Sequence, residues 1–170
     1  PGPRGARGSP RERVVAAVPI LSPQDKRTLE TRFKKDLDRE VTVTLYTVRS
    51  AGLLVVPGRE CPSCPDALEL LSEFAELSPK ITLETVDFYT EAQAAQEKGV
   101  DRIPCIDLSV KGKDDVALRF YGVPAGYEFL TLVEGVVTLS RGVSPLRTPT
   151  RRVLRKLEKD VRLQVFVTPG

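Results

Sequence analysis

Two cysteines three residues apart, in Glu60-Cys61-Pro62-Ser63-Cys64-Pro65, stand between an apolar run and a helical pattern, and the rest of the chain must fold around them. Upstream, residues 41–48 read Val-Thr-Val-Thr-Leu-Tyr-Thr-Val, a β-branched run that predicts a strand. The apolar residues 53–56 read as a short strand within a loop. Downstream, Leu68, Leu71, Phe74, Ala75 and Leu77 recur at helical spacing. That spacing puts Cys61 at the helix edge and Cys64 one turn inside, on one face and at a separation that suits a disulfide. Unpaired N–H groups and the positive end of the helix dipole favour a thiolate at Cys61. Pro62 fits the first turn, where a missing N–H costs nothing.

Other chemistries compete for the same pair. Structural zinc needs four ligands, and the chain offers three cysteines and no histidine. An iron–sulfur cluster would have to be shared between two subunits, because each chain carries one Cys-x-x-Cys. Two buried, inert cysteines are the plainest alternative. A reversible dithiol uses both thiols and the helix start, and stands ahead of these three. It calls for no cofactor and no metal.

Composition narrows the setting. With 41% hydrophobic and 29% charged residues, 170 residues can bury a core of one domain, with appendages, beneath an ordinary surface. The 26 basic and 23 acidic residues are interspersed, without a basic stripe interleaved with aromatics, so nucleic acid is not indicated. The apolar run at 14–21 carries a proline and is too short to span a membrane. It also lacks a small-residue cleavage site. An odd cysteine count argues against a secreted disulfide framework, leaving the cytoplasm as the expected compartment. The chain has no methionine, not even an initiator, which fits a fragment of something longer.

Residues 1–21 form the expected tail, whose first thirteen are Gly/Pro/Arg-rich and predicted to be disordered. Ser22 caps a helix with Pro23 at its first position and Leu29, Phe33 and Leu37 inward, ending near Arg39. After the cysteine helix, 81–87 is a second strand and 91–98 a short helix closed by Gly99. A third strand at 103–110 turns through 111–115 into a returning strand at 116–121. A helix over 127–140 follows, with Phe129, Leu130, Val133, Val136 and Val137 inward. Residues 145–149 link to a basic amphipathic helix at 150–159, expected to pack Val153, Leu154 and Leu157 on the domain. A last strand is expected at 162–167. The order gives an α/β domain over 22–142, a mixed sheet whose first strands are parallel and whose last two are antiparallel, with helices on both faces.

The Cys-x-x-Cys block, Val86-Asp87-Phe88, Arg102-Ile103-Pro104 and Phe120-Tyr121-Gly122-Val123-Pro124-Ala125-Gly126-Tyr127-Glu128-Phe129 together resemble the N-terminal unit of the glutaredoxin-like protein disulfide oxidoreductases. Those proteins carry two thioredoxin-fold units in tandem, each with its own Cys-x-x-Cys. The resemblance implies a thioredoxin-like fold and disulfide exchange with protein substrates. It makes Cys61 the attacking thiolate, Cys64 the resolving thiol and Pro104 the cis-proline facing them. The backbone of Ile103 would then pair with an extended substrate segment. A thioredoxin reductase or glutathione would supply electrons. Residues 143–170 resemble the linker, helix and first strand of a second unit, and the chain stops where its dithiol is expected.

Two further functions compete with the protein disulfide oxidoreductase, namely a non-catalytic scaffold unit of a tandem protein and a glutathione-dependent glutaredoxin. Cys105 follows Pro104 into a strand with its side chain turned away from the dithiol, and reads as a buried, inert thiol, with a third redox thiol or modification site as the alternative. Glu60 and Asp66 flank the motif against Arg59. Glu84 and Asp87 are candidate proton acceptors for Cys64, although capping and surface roles are commoner for acids.

Overall fold

The computed structural model describes residues 20–48, 58–113, 115–159 and 161–167. The chain runs α1 (Pro23–Asp36), β1 (Val41–Thr47), α2 (Cys64–Glu76), β2 (Ile81–Asp87), α3 (Ala92–Glu97), β3 (Cys105–Val110), β4 (Leu118–Tyr121), α4 (Tyr127–Arg141) and α5 (Thr148–Leu154). The strands form a sheet in the order β2-β1-β3-β4. β1 and β2 are parallel, pairing Val41 with Ile81 and Thr47 with Asp87. β3 runs antiparallel to β1, with Tyr46 opposite Cys105, and β4 runs antiparallel to β3, with Cys105 opposite Tyr121.

Alternation along the strands decides what each face covers. Val41, Val43, Leu45, Ile81, Ile106 and Leu108 face one way, into a core with Phe33 of α1, Leu70, Leu71 and Phe74 of α2, and Val133 and Val136 of α4. Phe74 is its hub, edge-on to Phe33 at 5.5 Å and to Phe129 at 5.9 Å between ring centroids. On the opposite face Tyr46 and Cys105 pack with Ala95 of α3 and Val100. The expected mixed sheet with helices on both faces is therefore present.

Ser22 caps α1 as its sequence suggests, its hydroxyl accepting the Asp25 N–H at 3.1 Å. The domain begins earlier than residue 22. Leu21 is buried, and the N–H groups of Ile20 and Leu21 donate to the Glu73 carboxylate of α2. Burial opposes ionisation of Glu73, yet Lys26 and these two amides outweigh it and hold the carboxyl below its usual range. Residues 1–19 and 53–56, where a tail and a short strand are expected, lie outside the described residues.

Several expectations need correction. Leu68 and Leu130 point outward, and Leu70 and Leu132 take the buried positions. β3 begins at Cys105 rather than Ile103, because Pro104 has no N–H to give a ladder. α5 starts at Thr148, with Pro149 in its first turn, and ends at Leu154. Val153, Leu154 and Leu157 are exposed, so the expected packing of this helix on the domain is not formed. Residues 161–167 form no strand and pair with no other strand among the described residues. No helix among the described residues is long and apolar enough to cross a membrane.

Candidate active site

The site lies where β1 leaves the sheet. A helix of 13 residues is about 20 Å long and a strand of seven about 23 Å, so α2 spans the height of the strands it covers. Its C-terminal end connects to the start of β2, which leaves its N-terminal end beside the carboxyl end of β1. Cys64 is the first residue of α2 and is buried, whereas Cys61 precedes the helix and is half-buried. The two are joined in a disulfide with their Cα atoms 5.4 Å apart.

The helix starts one turn later than the spacing predicts. The Cys64 N–H donates to the Cys61 carbonyl at 3.2 Å, closing a turn, and the Ala67 N–H donates to Ser63 at 3.1 Å. Pro65, not Pro62, is the proline of the first helical turn. Cys61 thus sits just beyond the positive end of the helix rather than on its first residue. Ser63, at the cap position, makes no side-chain capping bond.

The second wall enters from β3. Tyr46 opposes Cys105, so the segment before Cys105 arrives at the end of the sheet from which β1 departs. The Ile103–Pro104 peptide bond is cis and Pro104 is buried, with its carbonyl accepting the Gly122 N–H at 3.0 Å. Among the described residues, neither the N–H nor the carbonyl of Ile103 has a hydrogen-bond partner. Two arginines border this end. Arg59 lies over the Tyr89 ring and Arg102 over the Tyr121 ring, each at 5.0 Å from the centroid. The Arg102 guanidinium, hydrogen-bonded to Asp101, holds that carboxyl down at about 2.

Asp87 is buried, and its Oδ1 accepts the N–H groups of Tyr89 and Thr90, a capping role at the turn into α3. Glu84 is exposed on β2. Cys105 is fully buried and free, on the face of the sheet opposite the α2 core. Burial, and then the charge of Asp107, push its thiol up to about 12. The same two causes raise the Tyr46 hydroxyl to about 12.

Sequence reasoning missed the buried ion pair beside it. Arg119 Nε meets Asp107 Oδ1 at 2.6 Å and its Nη2 meets Oδ2 at 2.7 Å. The available signal was an acid inside the apolar run Cys-Ile-Asp-Leu and a base at its hairpin partner, which the register places directly opposite.

A parallel pair whose crossover helix begins at a disulfide, followed by an antiparallel pair led in by a cis-proline, is a thioredoxin-like fold. Solved structures agree. The NTD_N/C domain of alkylhydroperoxide reductase AhpF from Enterococcus faecalis matches with a TM-score of 0.65 at 24% identity, over 78% of this chain and 58% of that one. The AhpF subunit itself matches with a TM-score of 0.65 at 25% identity, over 82% and 62%. A protein disulfide oxidoreductase from Aeropyrum pernix matches with a TM-score of 0.63 at 26% identity, over 80% and 55%. The chain therefore spans less than two thirds of each of these proteins. No protein-family model and no curated protein sequence matches it.

Proposed function

We propose that this chain is a thiol–disulfide oxidoreductase acting on protein substrates through Cys61 and Cys64. The observation that carries this reading is the disulfide itself, with one sulfur at the accessible edge of a helix start and the other buried behind it. In the reduced protein the Cys61 thiolate attacks one sulfur of a substrate disulfide. That S–S bond breaks, a Cys61–substrate bond forms, and one substrate thiolate leaves and takes a proton. The Cys64 thiol then loses its proton and attacks the Cys61 sulfur, releasing the second substrate thiol and forming the Cys61–Cys64 bond. Two electrons have passed to the substrate.

Ile103 and Pro104 form the substrate wall in this reading. The unpaired N–H and carbonyl of Ile103 pair with an extended segment, as in strand addition. A thioredoxin reductase or glutathione returns the dithiol to its reduced form, in the cytoplasm, and comparing the two donors identifies which. The decisive experiment follows insulin reduction by single cysteine variants. Cys61→Ser abolishes turnover, and Cys64→Ser accumulates mixed disulfides visible by mass spectrometry. Full turnover by Cys64→Ser, with trapping by Cys61→Ser instead, would reverse the assignment.

A further inference from the structure

The outward face of β4 holds the segment that leads into Pro104. Arg119 reaches Asp107 with two hydrogen bonds, and also donates to the carbonyls of Lys98 at 2.8 Å and Gly99 at 3.0 Å. Those carbonyls lie at the C-terminal end of α3, where the helix dipole welcomes a cation. Two residues along the same strand, on the same face, Tyr121 lies against Arg102. The stretch from Lys98 to Pro104 is thus tied at its first two residues by Arg119, at Arg102 by Tyr121 and at Pro104 by the Gly122 N–H.

The geometry points to Arg119 as a positioning residue that sets Ile103 and Pro104 for an extended substrate, an inference that rests on the oxidoreductase reading above. Arg119 touches neither sulfur and acts through the segment it ties down. Asp107 is only 3% exposed and keeps the guanidinium aimed, accepting through both oxygens. A lysine retains a counter-ion for Asp107, but its single ammonium cannot reproduce the fork that spans the carboxylate and two carbonyls. Replacing both members by leucine removes the pair without leaving a buried charge unpaired. It also deprives Lys98 and Gly99 of their donor.

Arg119→Lys and the double variant Asp107→Leu/Arg119→Leu test this in the full chain, with amide exchange as the first readout. Exchange at the amides of Lys98, Gly99 and Val100, which donate to Ala94, Gln96 and Ala95, quickens about tenfold, the scale of one lost charge-assisted hydrogen bond, while β1 and α2 keep their protection. KM for oxidised insulin rises by a similar factor with kcat held, and reaction of reduced protein with Ellman's reagent, too small to need the Ile103 wall, stays within about twofold. Unchanged exchange at these three amides in whichever variant folds overturns the clamp. Quickened exchange with unchanged KM overturns its role toward substrate, as does an equal loss against insulin and Ellman's reagent. If the unaltered protein reduces neither disulfide, the oxidoreductase reading fails, and the role toward substrate with it, while exchange still judges the clamp.

Discussion

Cys105 and Tyr46 share one buried environment, and it gives the protein a distinctive response to alkali. Burial and the nearby Asp107 raise both groups to about 12, from 9.0 for a free thiol and 10.0 for a free phenol. In the unfolded chain each loses its proton at the lower value, so between roughly pH 9 and 12 the native state holds more protons than the unfolded one. Stability then falls as pH rises, by about 1.4 kcal/mol per pH unit for each such group. Urea titrations of the native protein and of Cys105→Ala, at pH 8 and pH 10.5, check this. The stability advantage of the native thiol shrinks at the higher pH, and an unchanged difference counts against a raised Cys105. The cysteine pair was legible because its spacing before a helix exposes its chemistry, whereas the cis Pro104 followed from the family resemblance and not from spacing. The Asp107–Arg119 pair was not legible, because its meaning depends on a strand register that the two stretches do not reveal separately.

The elements meet at α2, which carries the dithiol at one end and Phe74 in the core beyond it. Phe74 is wholly buried between the Phe33 and Phe129 rings, so it ties α1 and α4 to the helix that begins at the disulfide. Phe74→Ala costs about 3–5 kcal/mol, the lost transfer energy plus the cavity left among three helices. Urea denaturation of the oxidised protein measures it, and a loss below about 1 kcal/mol means that the neighbouring rings close the gap. Strand and helix identities were readable from period two and period 3.6, but the rotation of each helix was less so. In α2 and its C-cap the apolar residues 67, 68, 70, 71, 74, 75 and 77 cover a broad arc, and only packing against the sheet decides that Leu68 falls at its rim. The same breadth misplaced Leu130 in α4. The start of α2 slipped for a different reason, since Pro62 and Pro65 both satisfy the first-turn rule.

At the scale of the whole molecule, the core and the C-terminal stretch follow different logic. The sheet buries one apolar cluster under α1, α2 and α4 and a smaller one under α3, whereas residues 161–167 place Val161, Leu163, Val165, Phe166 and Val167 in solvent, Phe166 at 89% exposure. Their alternation reads as a strand from sequence, yet a strand exists only where a partner accepts its hydrogen bonds, and among the described residues none does. Such a segment adds little to stability, because it removes almost no apolar surface from water. Among the described residues β2 and β4 are the edges of the sheet, and the exposed alternation is expected to pair with them on another copy. A chain ending at Asp160 therefore melts within about 2 °C of the intact one, a difference of at most about 1 kcal/mol for a chain of this size. The intact chain shows the greater light scattering as concentration rises. A drop of several degrees on truncation would mean that the segment packs on the domain after all, and equal scattering from both forms would show that its exposed apolar face does not drive association.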